Sequence, residues 1–230
     1  MKSDSPQTGS GGNIGFTVVE LLVAIAIVAV LTSLLFGVYA SSKDKANATA
    51  CANNLRQCGV ALRLYANEHQ GHFPAALEAD SYSWPNALAA GGYLPRLVAG
   101  QRTVVTCPGS ATHGRYVDFR RVYGMWAGNA SYGTLQFSRD IACYRLSAMS
   151  LEADRIVMAD SGRSGYQAGW DPSYFIMSGT GKREPSDANK VINLAHAGTA
   201  NALFADGHVQ ALTREWLARD GRYNWTANHP

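Results

Sequence analysis

His196, Asp206 and His208 place two imidazoles and a carboxylate close together near the C-terminus. These are donor types that hold a transition-metal ion. The same residues also have a simpler reading. Asp206-Gly207 separates two β-like runs, Asn201–Ala205 and His208–Leu212. Asp-Gly between such runs predicts a β-hairpin with a type I′ turn, in which both central residues take positive φ. Asp206 is then explained by the turn, His208 by strand alternation, and His196 by a bond to a backbone group. On that balance no metal or other cofactor is expected, and His196, Asp206 and His208 are the set on which a metal site would depend.

Nucleophilic and phosphate-handling chemistry have weaker support. Ser161, His196 and Asp206 are triad residue types, but no Gly-x-Ser-x-Gly elbow surrounds Ser161. Gly179-Thr180-Gly181-Lys182-Arg183 looks briefly like a phosphate loop. It has Ile176 where the first glycine would stand and no Ser or Thr after Lys182. No enzymatic activity is expected.

A different kind of chemistry sits at the other end. Glu20 is the only charged side chain between Phe16 and Ser42, near the start of the run Leu21–Ala40. A charge in hydrocarbon costs about 2.5–3.5 kcal/mol on insertion scales, so it usually has a partner and a purpose. A cationic partner could stand four residues away on the same helix face or on a neighbouring helix, and a polar pair of that kind fixes register. The plainer alternative is a single-pass anchor with Glu20 snorkelling to the interface.

The elements that must position these residues follow from periodicity. As a helix, Leu21–Ala40 is about 30 Å long, one bilayer core. It is interrupted only mildly by Thr32, Ser33 and Gly37. Cys51, Leu55, Cys58, Leu62 and Tyr65 then recur at helical spacing and form one apolar stripe. Gly71 and Pro74 end the pattern. One helix from Phe16 to about His69 is therefore expected, apolar all round in its first half and amphipathic in its second. Cys51 and Cys58 read as small packing residues. They are about 10.5 Å apart along the helix, too far for a disulfide. Cys107 and Cys143 are candidates for a disulfide if the domain is exported.

Beyond the helix, Ser83–Leu88 reads as a short helix leading to Gly91-Gly92. Thr103–Cys107, Val122–Trp126 and Arg155–Asp160 read as strands. Thr213–Arg219 reads as a helix capped by Thr213, and Asn224–Pro230 as a frayed tail. The tryptophans, Trp84, Trp126, Trp170, Trp216 and Trp225, are expected mostly as core, with a partner-binding face as the minority reading. The fold class is α+β: a long N-terminal helix on a small antiparallel β-sheet, rich in loops.

The net charge of +3 is too mild to argue for nucleic acid as a partner. Residues 1–15 are polar and rich in Gly and Ser. They lack the apolar core of an ordinary secretory signal.

The string Gly15-Phe16-Thr17-Val18-Val19-Glu20-Leu21-Leu22, followed by the apolar run, strongly resembles the N-terminus of the type IV prepilin family, which includes the pseudopilins of type II secretion systems. His196, nine intervening residues and Asp206-Gly207 resemble the H-x9-DG element of a prepilin-like subgroup. Asn54–Leu62, Tyr65-Ala66-Asn67, His72-Phe73-Pro74 and Cys107-Pro108 agree with that subgroup. The resemblance covers the first 74 residues well, the last 40 moderately and the middle loosely.

The resemblance implies the following expectations. Residues 1–15 are a leader. A prepilin peptidase cuts between Gly15 and Phe16 and methylates the new N-terminus, whose α-amino group is the expected partner of Glu20, four residues on or in a neighbouring helix. Residues 16–40 form a transmembrane or filament-core helix, 41–71 its amphipathic continuation, and 72–230 a globular pilin-like domain with the H-x9-DG hairpin at 196–212. Glu20 directs assembly with other pilin-like subunits on an inner-membrane platform. The N-terminus is cytoplasmic and the C-terminal domain periplasmic or extracellular. Pseudopilins similar to this chain can hold calcium in a C-terminal loop, for which Asp160, Asp187 and Asp206 supply oxygen donors without EF-hand spacing. The leading expectation is a structural subunit of a secretion-type filament. The alternatives are an adhesive or DNA-uptake pilin and a membrane-tethered, exported metal-binding protein.

Overall fold

A computed structural model of the chain describes residues 17–74, 83–110, 113–118, 121–126, 153–162, 175–176, 191–220 and 225–227. Within them, the side chains of 34–38, 40, 126, 175–176, 191 and 225–227 fall outside the description. The fold is α+β. The chain divides into two compact units, Met1–Ser42 and Lys43–Pro230. Helix α1, Val18–Glu68, contributes residues to both.

In the first unit, Thr17 and Glu20 form a reciprocal cap. The Thr17 N–H and Oγ1–H both donate to Glu20 Oε2, at 2.8 and 2.7 Å, and the Glu20 N–H donates to Thr17 Oγ1 at 3.2 Å. This is a capping box, with Thr at the N-cap and Glu three residues on. The hydroxyls of Thr32 and Ser33 bond back to the carbonyls of Val28 and Val30. The polar interruptions of the apolar run therefore leave no unpaired hydroxyl. Among the described residues no helix is long and apolar enough to cross a membrane. The expected span Leu21–Ala40 includes side chains 34–38 and 40, which lie outside the described residues.

The second unit holds the core. Cys51, Leu55, Cys58 and Leu62 are all buried, with Tyr65 partly so, as the helical stripe requires. Past Glu68 the chain turns at Gln70 and Gly71, both with positive φ, and the Gly71 N–H closes on the Ala66 carbonyl at 2.7 Å. Helix α2, Trp84–Ala90, has proline in its first turn. It buries Trp84, whose Nε1 donates to the Tyr123 carbonyl at 3.3 Å.

The strands are β1 Gly124–Trp126, β2 Ile156–Ala159, β3 Ser161–Gly162, β4 Phe175–Ile176, β5 Val191–Leu194, β6 Thr199–Phe204, β7 Val209–Thr213 and β8 Trp225–Ala227. They form two sheets, β4-β1-β2-β6-β7 and β3-β5-β8. Pairing is mainly antiparallel, but β4 joins β1 and β8 joins β5 in parallel. Helix α3, Arg214–Asp220, follows β7, and Thr213 Oγ1 accepts from the Trp216 N–H at 3.2 Å as its cap.

Three local expectations are corrected. Thr103–Cys107 is not a strand: two of its carbonyls accept from α1 side chains, with Asn54 Nδ2 donating to Thr106 O and Cys58 Sγ to Val104 O. The tail is not wholly frayed, because Trp225–Ala227 pairs with Ile192–Leu194. The turn at Asp206-Gly207 is not type I′. Only Gly207 has positive φ (95°), and its N–H bonds to Phe204 O while the Phe204 N–H bonds to His208 O. That is a three-residue loop ending in a left-handed glycine. A pair of positive φ values occurs instead at Ala197 (48°) and Gly198 (86°), where His196 and Thr199 exchange both backbone hydrogen bonds at 2.9 and 3.0 Å.

Candidate metal centre

The two-residue turn that follows β5 fixes His196 at the N-terminal end of β6. Thr199 Oγ1 donates to the His196 carbonyl at 2.8 Å and locks the turn. Asp206 lies past the other end of β6. Six strand residues at about 3.4 Å each separate the two ends by roughly 20 Å. The nine-residue spacing therefore spans a turn and a strand, and His196 is not gathered with Asp206 and His208. Those two form their own half-exposed pair: Asp206 Oδ1 accepts from the His208 N–H at 2.9 Å and lies 2.6 Å from His208 Nδ1. The calcium set fares similarly. Asp160 pairs with Asn201 near the start of β6, Asp206 follows its end, and Asp187 lies outside the described residues.

His196 instead turns inward onto Asp160, Cys107 and Cys51. Its Nε2 is 3.2 Å from Asp160 Oδ2 and 3.2 Å from Cys107 Sγ. Cys51 Sγ is 3.1 Å from Asp160 Oδ1. One donor atom from each of the four residues lies within 4.8 Å of the others, and all four residues are buried.

Each residue is positioned by a different part of the fold. Cys51 comes from the buried stripe of α1. Cys107 follows the segment held against α1 by Asn54 and Cys58. Asp160 is the single residue between β2 and β3, where the chain leaves one sheet for the other. Its N–H bonds to Asn201 O and its carbonyl accepts from the Asn193 N–H, both at 3.0 Å. His196 ends the passage in the opposite direction, from β5 back toward β6. The centre thus lies where both sheets and α1 meet.

Supporting groups hold the donors in place. The Asn201 N–H gives Asp160 Oδ2 a hydrogen bond of 2.8 Å. The Gly109 backbone donates to the Cys107 sulfur. Gly109 also lies against the imidazole: a Cβ there would fall 2.9 Å from His196 Cε1 and 3.2 Å from Nδ1. Tyr123, fully buried, donates to the Cys51 carbonyl at 3.5 Å.

The electrostatics follow from burial and proximity. Burial works against a charged imidazole at His196. Hydrogen bonds to Asp160 and Cys51, together with the Asp160 charge, outweigh it and push the pKa up to about 10. The Cys107 thiol is driven well up by its hydrogen bond to Cys51, by burial and by the Asp160 charge. Burial drives up the Tyr123 hydroxyl. Such a cluster is a poor place for a free thiolate nucleophile, which needs an electropositive and partly open setting.

Nor is the geometry that of a Cys-His-Asp triad. In a triad the nucleophile and the acid meet opposite ring nitrogens. Here Cys107 and Asp160 both meet Nε2.

Sequence reading singled out His196 and, as a calcium donor, Asp160 from this group, but in two separate sets with other companions. Cys51 was a packing residue by periodicity and is one, yet its thiol also donates to Asp160. Cys58 fits the packing expectation alone, its thiol donating to Val104 O at 3.3 Å. Cys107 carries a free thiol, and Cys143, its expected disulfide partner, lies outside the described residues. Gly15 and Phe16 also lie outside them. The signals for the centre were Cys107-Pro108-Gly109 and Asp160-Ser161-Gly162, but no spacing rule joins them. No protein-family model, no curated protein and no solved structure matches the chain.

Proposed function

We propose that this chain is a pilin-like structural subunit, cut by a prepilin peptidase between Gly15 and Phe16 and assembled through α1 into a secretion-type filament. The observation that carries the reading is Glu20 in the first turn of a helix whose large aliphatic side chains from Val18 to Leu31 are 53–74 % exposed. A helix that is apolar all round needs a bilayer or other helices around it. A bilayer before assembly and neighbouring subunits after it would meet that need in turn.

The second half of α1 supports the same architecture, a long helix whose C-terminal part covers a mainly antiparallel sheet. Asn201 Nδ2 of β6 donates to Ala48 O at 2.9 Å, and Arg63 Nη2 donates to Ala205 O at 3.2 Å. Cys51, Leu55, Cys58 and Leu62 are buried in one core with strands β2 and β6. On this reading the precursor is a single-pass inner-membrane protein with its leader in the cytoplasm and its globular domain outside. Its partners are the peptidase, like subunits and an inner-membrane platform. Catalysis plays no part; the output is mechanical.

The decisive measurement is the mass of the mature polypeptide from its native host. A chain beginning at methylated Phe16 is expected, and an intact leader overturns the proposal. Glu20→Ala is expected to collect in the membrane without entering filaments. Secretion and surface-pilus versions separate by microscopy, since only the second gives long external fibres containing this chain.

A further inference from the structure

We propose that Cys51, Cys107, Asp160 and His196 form a closed, four-coordinate site for a zinc-class divalent metal ion that staples α1 to both sheets. This inference goes beyond the filament reading and does not rest on it.

The donor set comes first. Two thiolates, one imidazole and one carboxylate suit zinc, which is bound by Cys, His and Asp in structural sites with four protein ligands. Calcium and magnesium take oxygen donors and would leave both sulfurs and the nitrogen unused.

Distances come next. Zinc sits about 2.3 Å from sulfur and about 2.0–2.2 Å from nitrogen or oxygen, so tetrahedral neighbours stand roughly 3.3–3.8 Å apart. The contacts of His196 Nε2, 3.2 Å to both Asp160 Oδ2 and Cys107 Sγ, need to open by only a few tenths of an ångström. Cys51 Sγ, 3.1 Å from the other carboxylate oxygen, Oδ1, completes a set in which one donor atom from each residue lies within 4.8 Å of the others.

Convergence is the third argument. A ring nitrogen has a single hydrogen or a single lone pair to offer, so a hydrogen-bonded chain would give Nε2 one partner. Instead Nε2 faces a sulfur and a carboxylate oxygen at once, and Asp160 presents its other oxygen to a second sulfur. Four separate stretches of chain each bring a donor atom within 4.8 Å of the other three.

Last, outer support of the kind metal ligands receive is present. The Asn201 N–H orients Asp160, and the Gly109 N–H meets the Cys107 sulfur. Binding exchanges the protons on Cys51, Cys107 and the Nε2 of His196 for one metal ion and releases them to solvent; no redox step is involved.

The ion would fasten residues distant in sequence. In a chain of short strands and many loops, such a link adds its binding energy to folding.

The test uses the full chain solubilised in mild detergent and purified without chelator. Elemental analysis should give one zinc per chain. Cobalt(II) exchanged for zinc should give the visible bands of a tetrahedral ion together with thiolate charge transfer. Cys107→Ala, Asp160→Ala and His196→Ala should each lower retained metal at least tenfold, while His208→Ala and Cys58→Ala keep one ion per chain. Should those first variants fail to fold, alkylation of the wild-type chain decides: zinc should protect Cys51 and Cys107 and leave both reactive after its removal. Three results overturn the proposal: a folded chain with free thiols and no cobalt spectrum, a Cys51–Cys107 disulfide in the isolated protein, or metal lost with His208→Ala.

Discussion

His196 Nε2 stands 3.2 Å from Asp160 Oδ2, although 35 residues separate the two in the chain. Both occupy points where the backbone crosses between the two sheets, so their contact reports the packing of one sheet on the other. The behaviour of this pair and its neighbours yields predictions distinct from those of the N-terminal helix.

Gly109→Ala should disturb the centre without removing a donor. The new methyl would meet His196 at 2.9 Å, closer than real Cβ contacts allow, and the ring is buried with little room to retreat. Overpacking of this kind costs about 1–3 kcal/mol. Denaturant unfolding measures it; a change below a few tenths of a kcal/mol would show that the imidazole moves freely.

Leu55→Ala tests whether the second half of α1 belongs to the same cooperative unit as the strands. Leu55 is fully buried within the common core, and truncating such a residue costs about 2–5 kcal/mol. Loss of helix and loss of sheet should coincide in a thermal scan followed by circular dichroism. Separate transitions would contradict a single core.

Asp206 and His208 should matter little. The pair is half-exposed, and exposed ion pairs contribute about 0–1 kcal/mol. The His208 N–H, more than the imidazole, holds the Asp206 carboxyl below its ordinary value. A carboxyl depressed in the folded state adds stability above its unfolded pKa and loses it as pH falls through the folded one. The stability gap between the wild-type chain and Asp206→Asn should therefore be present at neutral pH and close in acid. A gap unchanged between neutral and strongly acidic solution would refute this sign.

Glu20→Gln separates two uses of one side chain. Glutamine can serve in a capping box as glutamate does, so the helix start should survive, as judged by unchanged helicity. The charge that a neighbouring α-amino group needs is gone, so assembly should fail as in Glu20→Ala. Filaments formed normally by Glu20→Gln would reduce Glu20 to its cap with Thr17.

Where local chemistry alone decides, the sequence was legible. The stripe Cys51, Leu55, Cys58 and Leu62 needed only helical periodicity, and α1 was expected within two residues of its observed bounds Val18–Glu68. The cap at Thr213 and the helices α2 and α3 came from turn and capping residues in the same way. The hairpin β6–β7 was expected and is present, although its loop has one more residue than a type I′ turn. The strand expected at Thr103–Cys107 failed because apolar β-branched residues can pack on a helix as readily as they pair in a sheet. The edge strand β8 was missed because a parallel partner far away in sequence leaves no local mark.

The amino-acid sequence by itself determined the long helix, its change from all-round apolar to one-sided, the placement of Glu20 in its first turn and the presence of a turn after β6. Those features depend on neighbours within a few residues, and a linear reading reaches them. Only the tertiary structure decided that His196 belongs with Cys51, Cys107 and Asp160 and not with Asp206 and His208. A six-residue strand carries His196 and Asp206 to opposite ends, while two sheet crossings and one helix face bring together four residues that no sequence spacing connects.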